Sequence, residues 1–110
     1  MTQPPTKGPE PVKPVGNTIN TRKIPYLTAK AYDRGRKIKL TWWSGVEPCT
    51  VLDRVKVKES GRRVTITLYE GTDEKAQNVA CIEIAIQKTT TVKLKTPLGK
   101  RKIVDGAKLK

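Results

Sequence analysis

Two cysteines and two adjacent tryptophans are the residues of this chain whose types suit chemistry or binding. Trp42 and Trp43 lie in T-W-W-S-G-V-E-P-C, which ends at Cys49, and the second cysteine is Cys81. The sequence contains no histidine, so a nucleophilic cysteine lacks its usual activating base and a zinc ion lacks part of its usual ligand set. Neither cysteine belongs to a C-x-x-C motif of the thioredoxin type. We therefore expect no metal, no cofactor and no cysteine-based catalysis.

Two roles remain for the cysteines: a structural disulfide, or two buried thiols without reactivity. A bond between Cys49 and Cys81 would close a loop of about 33 residues and stabilise the fold by about 3–4 kcal/mol in the chain-entropy model. It would also favour an oxidising compartment. The residues alone leave both roles open.

Carboxylates are the other groups with catalytic potential. The chain has 10 Asp and Glu residues against 23 Lys and Arg, so ion pairing is the role we expect for most of them. Glycosidase-type chemistry needs two carboxylates across a sugar-sized cleft, and so small a domain has little room for one. We therefore expect a protein that is not an enzyme.

The positive charge indicates an anionic partner. The net charge is +13, and such a field attracts nucleic acids and anionic cell-wall polymers. Strand alternation turns many basic side chains outward together with one tryptophan, which predicts a cationic sheet surface. The candidate residues are Lys37, Lys39, Trp43, Lys56, Lys58, Arg63, Lys93 and Lys95. The alternative interpretation is a solvated surface whose charges keep a small domain soluble.

The elements that must position these residues are strands. Apolar residues recur with a period of two and turn residues separate the runs, which predicts an all-β fold: a small antiparallel β-sandwich of five to seven strands, Ig-like or related. The clearest hairpin joins Val51–Val57 to Val64–Leu68 through E-S-G-R. A further strand is predicted over Ile82–Ile86. Alternation sends Trp42 into the core and Trp43 outward. Eight inward residues are expected in the core: Ile38, Leu40, Val55, Val57, Val64, Ile66, Val92 and Leu94.

The N-terminal part has a different composition. Residues 1–21 are rich in proline and are predicted to form an extended arm, with the β-sandwich domain over 22–110. The segment Ile24–Tyr32 is expected as an edge strand, since Pro25 lacks an N–H. No stretch has the roughly 20 apolar residues of a membrane span, and the N-terminus lacks the apolar core of a secretory signal. We therefore expect no transmembrane segment.

Several short blocks between Leu40 and Gly106 resemble a group of small exported or lipoprotein-type β-domains from high-GC Gram-positive bacteria, whose function is uncharacterised. The blocks are W-S-G-V-E-P-C, V-L-D-R-V-K-V, V-T-I-T-L-Y-E-G-T-D, A-C-I-E-I-A and T-P-L-G-K-R-K-I-V-D-G. The resemblance implies export behind a Pro-rich linker, with Cys49 and Cys81 paired outside the cytoplasm, and it implies no activity.

These observations together predict a non-enzymatic binding or structural module in the extracellular space or cell envelope, with an anionic cell-wall polymer as its partner. The alternative is a cytoplasmic nucleic-acid-binding protein that uses the basic sheet surface.

Overall fold

A computed structural model describes residues 9–76 and 78–109 and places eight β-strands of that part of the chain in two sheets. Two short 3-10 helices cover Glu74–Ala76 and Gly106–Lys108. The prediction of an all-β chain is confirmed, while its relation to Ig domains stays a prediction. The strands are β1 (Glu10–Pro11), β2 (Thr18–Ile24), β3 (Thr28–Tyr32), β4 (Lys37–Ser44), β5 (Val51–Glu59), β6 (Arg63–Asp73), β7 (Ile86–Lys93) and β8 (Lys102–Asp105).

The two sheets are mixed. The first sheet has the order β1-β7-β4-β3, and the second has the order β2-β6-β5 with β8 beside the first half of β6. Strands β1 and β7 pair in parallel, as do β6 and β8, and the other pairs are antiparallel. The structure therefore has eight strands where five to seven were predicted, and two of its six strand pairs are parallel where an antiparallel fold was predicted. Neither parallel pair joins consecutive strands, so no turn motif marks it in the sequence.

The core lies between the two sheets. Ile38, Leu40 and Trp42 of β4 are fully buried, as are alternate residues of β6 from Val64 to Leu68. Val55, Val57 and Val92 are partly buried against this cluster and Leu94 is buried. The predicted inward residues are therefore confirmed. Burial of each large apolar side chain contributes about 1.5–3 kcal/mol to folding.

The described part of the predicted arm is built into the sandwich. The Val12 N–H donates to the Thr89 carbonyl at 2.9 Å, and the N–H groups of Val15 and Gly16 donate to carbonyls of β5. Prolines are tolerated in this segment because it runs along strand edges, where a missing N–H breaks no ladder. Residues 1–8 of the predicted arm lie outside the described residues.

The segment predicted as one edge strand, Ile24–Tyr32, is divided between the sheets. The chain leaves the second sheet after Ile24 and enters the first at Thr28. Pro25 is located at this crossing, where it cannot donate to either ladder.

The strand predicted over Ile82–Ile86 is present only at its last residue. Strand β7 begins at Ile86, which pairs with Ser44 at the end of β4. Residues before Ile86 have no facing strand there, and the side chains of Ile82 and Ile84 are 69% and 51% exposed. The alternation of apolar residues correctly indicates that this segment has strand propensity. It cannot show that the partner strand, β4, ends at Ser44.

The disulfide is present. Cys49 and Cys81 are bonded, with their Cα atoms 6.2 Å apart and a sequence separation of 32. The bond ties the segment before β5 to the segment before β7, which belong to different sheets.

Breaking this bond is expected to lower the free energy of unfolding by about 3–4 kcal/mol, because the unfolded chain regains the entropy of an open loop. Urea unfolding of the oxidised protein and of a Cys49→Ala/Cys81→Ala double variant measures the difference. A reductant should shift the wild-type midpoint and leave that of the double variant unchanged. Equal midpoints for the oxidised wild type and the double variant, measured without reductant, would contradict the prediction.

A cluster of hydrogen bonds around Glu59 and Arg101 stabilises the connection between β7 and β8. The Glu59 carboxylate accepts hydrogen bonds from the backbone N–H of Lys95 at 2.7 Å and from Arg101 Nη2 at 3.2 Å. Arg101 also donates to the carbonyls of Ser60, Thr96, Pro97 and Leu98. The backbone hydrogen bond of Lys95 and the interactions with Arg101 lower the pKa of Glu59 below its ordinary value. The basic run around Arg101 thus includes a structural residue.

The lowered pKa of Glu59 predicts an acid-sensitive contribution to stability. This contribution is fully present above the pKa of an unfolded glutamate, about 4.3, and is lost as pH falls through the lower folded pKa. A Glu59→Gln variant should be less stable than wild type at neutral pH, and the gap should narrow below about pH 4.3. Thermal unfolding across this range, with exposed Glu10→Gln as the control, measures it. A gap that does not change with pH would contradict the assignment.

Candidate functional site

A cleft lies beside the disulfide, and we call it the disulfide cleft. Its volume is about 620 Å³, and its walls come from β2, the end of β4, β6 and the segments that flank Cys49 and Cys81. Ile24, Val46 and Ile84 supply apolar wall, and Trp43 lies at its rim. Part of the cleft wall therefore comes from T-W-W-S-G-V-E-P-C, the stretch that holds both tryptophans and Cys49.

A buried carboxylate forms part of the wall of the disulfide cleft. Glu70, on the inward side of β6, is only 1% exposed. Its Oε2 accepts hydrogen bonds from the Trp42 indole Nε1–H, at 3.0 Å, and from the Ser44 hydroxyl. Both donors come from β4, so the bonds connect the two sheets. Among the described residues, no further partner engages the other carboxylate oxygen.

A buried lysine lies beside Trp42 on the neighbouring strand. Lys88 of β7 is 1% exposed and stands directly opposite Trp42 in the β4–β7 ladder. Its Nζ donates to the Thr50 carbonyl at 3.1 Å. An isolated buried ammonium is unfavourable, and this hydrogen bond offsets part of the free energy that its burial costs. Lys88 itself does not line the cleft.

Two exposed charged side chains, Arg22 and Glu83, line the disulfide cleft. Arg22 of β2 is exposed and stands directly opposite Glu70 in the β2–β6 ladder. No ion pair joins Arg22 to any described carboxylate within 4.0 Å. Glu83, also exposed, lines the cleft. Trp43 is 52% exposed whereas Trp42 is fully buried, so the predicted division of the tryptophans is confirmed.

The predicted cationic residues occupy two opposite outer faces. Lys37, Lys39, Lys93 and Trp43 lie on the first sheet, where Lys37 pairs across the ladder with Lys93. Lys56, Lys58 and Arg63 lie on the second sheet. Lys95 follows β7, and its backbone N–H is bonded to Glu59. Alternation identifies the outward residues of a strand but not the sheet to which the strand belongs. The prediction of a single cationic surface was therefore wrong, since the cations lie on two sheets.

The outer side of the second sheet gathers the larger group of cations, which we call the basic face. Ladder positions set its rows: Lys23 and Arg54 flank Tyr69, Lys56 and Lys58 oppose Thr67 and Thr65, and Arg63 opposes Lys102. Its cationic members are Lys23, Arg54, Lys56, Lys58, Arg63 and Lys102, all exposed. None of the outward positions in these rows carries a carboxylate.

Arg54 and Tyr69 form a stacked pair within the basic face. The guanidinium carbon lies 4.4 Å from the centre of the Tyr69 ring, which is a cation–π distance. Arg54 also lies 3.7 Å from the buried Asp53 carboxylate. These contacts hold the guanidinium on the ring.

The outer side of the first sheet is less uniformly positive. Lys37 lies 3.9 Å from Asp33 and 6.0 Å from the centre of the Tyr32 ring. Lys30 and Lys39 are paired across the β3–β4 ladder and are exposed. Trp43 lies four positions from Lys39 on the same strand and belongs to the rim of the disulfide cleft.

In the part of the chain that the structure describes, no group of three or more His, Cys, Asp or Glu residues is arranged to hold a metal ion. No helix among the described residues has the length and apolar character needed to cross a membrane.

Comparisons of the chain with protein-family models, with curated proteins and with solved structures found no match.

The two tryptophans should differ sharply in their effect on stability. Trp42→Phe removes the hydrogen bond to Glu70 and leaves space in the core, so we expect a loss of about 2–4 kcal/mol in the free energy of unfolding. Trp43→Phe alters a half-exposed ring and should change it by less than about 0.5 kcal/mol. Chemical denaturation of both variants measures this. Similar losses for the two would contradict the assigned roles.

Proposed function

We propose that this protein is a non-enzymatic module, exported or displayed at the cell surface, that binds an anionic polymer of the cell wall through the basic face. The observation that carries the proposal is the set of six exposed cations on one side of the second sheet, with no carboxylate among the outward positions of the same rows.

The geometry of β5 suits a polymer with repeated negative charges. Alternate residues of a strand are about 7 Å apart, so Arg54, Lys56 and Lys58 form a straight row of positive charge about 14 Å long. Lys23, Arg63 and Lys102 widen this row on the neighbouring strands. Binding of this kind displaces counterions from the polymer and tolerates variation in its chemical structure.

The disulfide supports a location outside the cytoplasm. Disulfides form and persist in oxidising compartments and are rare in the cytosol. Anionic wall polymers are available to a protein in that location. If unreduced protein from its native source has two free thiols by intact mass and thiol labelling, the exported location is wrong.

The arrangement of aromatic rings favours a wall polymer over nucleic acid. Single-stranded nucleic acids are bound by combining cations with rings that stack on bases. On the basic face, one side of Tyr69 is already covered by Arg54, and the exposed Trp43 belongs to the other sheet. The basic face therefore offers positive charge but lacks an aromatic ring with both sides open for stacking on bases.

Binding to purified wall teichoic acid should weaken as salt is added. A triple variant, Lys56→Gln/Lys58→Gln/Arg63→Gln, should lose about tenfold or more in affinity at about 0.1 M salt and show a shallower dependence on salt. The matched control, Lys30→Gln/Lys39→Gln/Lys93→Gln, removes the same charge from the opposite sheet and should retain most of the affinity. Titration of both with teichoic acid and with a single-stranded oligonucleotide measures it.

Three results would count against the proposal. Absence of teichoic-acid binding at low salt would overturn it. Equal losses in the two triple variants would show that net charge acts without the basic face. Tighter binding of the oligonucleotide than of teichoic acid would favour the nucleic-acid alternative.

A further inference from the structure

We propose that the disulfide cleft is a second binding site, specific for a free α-amino acid with an apolar side chain. The site is separate from the basic face, since it lies on the inward side of β2 and β6 and the basic face lies on their outward side. The proposal therefore does not depend on polymer binding.

The dimensions and walls of the cleft suit a small ligand with an apolar body. A volume of about 620 Å³ lies in the range of small-molecule pockets. Trp43 and Ile84 line it and are 52% and 51% exposed, and Ile24 and Val46 complete the apolar wall. Large exposed apolar side chains that converge on one concavity are typical of a ligand site.

The charged groups of the cleft match a ligand with charges of both signs. Arg22 and Glu70 are direct ladder partners, so their Cβ atoms are about 5 Å apart. No described ion pair joins them, and both hydrogen bonds to Glu70 fall on Oε2. The exposed Arg22 guanidinium therefore forms no ion pair with Glu70, and the second oxygen of the buried Glu70 carboxylate has no hydrogen-bond partner among the described residues at the wall of the cleft.

An α-amino acid matches this pair of groups. Its carboxylate and ammonium are attached to the same carbon, so the carboxylate can accept from the planar donors of Arg22 while the ammonium donates toward Glu70. Glu83 also lines the cleft and adds negative charge to it. The hydrogen bonds from Trp42 and Ser44 hold the Glu70 carboxylate in place before a ligand arrives, which reduces the entropy lost on binding.

Residues 82–85, which lie beyond the end of β4, are consistent with this interpretation. Their sequence is suited to a strand, yet Ile82 and Ile84 line the cleft together with Ala85. Departures from local sequence preference are expected where a segment serves a site.

Three probes with the same benzyl group test the proposal on the intact, oxidised protein. L-Phenylalanine carries both charges, phenethylamine lacks the carboxylate and hydrocinnamate lacks the ammonium. Proton–nitrogen NMR reports on the indole N–H groups of Trp42, which is bonded to Glu70, and of Trp43 at the rim. We expect phenylalanine to shift both signals and to bind about tenfold or more tightly than either single-charge probe.

Two variants assign the charges. Arg22→Gln should lower the affinity for phenylalanine to that for phenethylamine, and Glu70→Gln should lower it to that for hydrocinnamate. The controls are Lys23→Gln, which removes the neighbouring outward cation, and Glu10→Gln, which removes a carboxylate on the other sheet. Both controls should bind phenylalanine as wild type does.

The proposal fails if phenylalanine does not bind, or if it binds no more tightly than the single-charge probes. It also fails if Arg22→Gln weakens all three probes equally. If Glu70→Gln does not fold, the wild-type probe series and the exposed Arg22→Gln variant still decide the question.

Discussion

The hydrogen bond from Trp42 to Glu70 is the interaction on which the rest of the structure depends. A carboxylate that is 1% exposed is tolerated only when donors replace its water, and here both donors, the Trp42 indole and the Ser44 hydroxyl, come from the opposite sheet. The bond therefore fixes how β4 lies over β6, whereas apolar contacts alone would allow the sheets to slide. The Lys88 ammonium, bonded to the Thr50 carbonyl, constrains β7 in the same way. The polar core at this end of the sandwich thus determines the relative position of the sheets.

The disulfide acts on the same end. It connects the chain before β5 to the chain before β7 and so holds residues 82–85 above the cleft, beyond the end of β4. The Glu59–Arg101 cluster has a comparable role in the β7–β8 connection, where one guanidinium satisfies four backbone carbonyls. A domain with a small apolar core gains stability from such local constraints, since burial alone leaves little margin over conformational entropy.

Alternation predicted the parts of the fold that depend on one strand at a time. The inward position of Trp42, the outward position of Trp43 and the β5–β6 hairpin all follow from a period of two and one turn. Alternation cannot show which strands share a sheet, so Lys37 and Lys56 were predicted on one surface although they lie on opposite sides. Glu70 and Lys88 were not predicted as core residues, because a charge is buried only when a partner from a distant segment satisfies it. These incorrect predictions have a common cause. Each position depends on a tertiary contact with a residue that is remote in sequence.

The charge of the protein acts at two ranges: the net charge attracts polyanions at long range, and the local arrangement of charges distinguishes the two proposed sites. With a net charge of +13, the whole molecule attracts polyanions, and the field is screened over about 8 Å at physiological salt. Selectivity must then come from local arrangement. On the basic face, rows of cations lack an outward carboxylate, which favours a repeating polymer. In the disulfide cleft, Glu70 and Glu83 offset Arg22, so a polyanion gains less there than a zwitterion does. Because the two surfaces lie on opposite sides of the same strands, a polymer bound to the basic face leaves the cleft open, and both sites can be occupied at once.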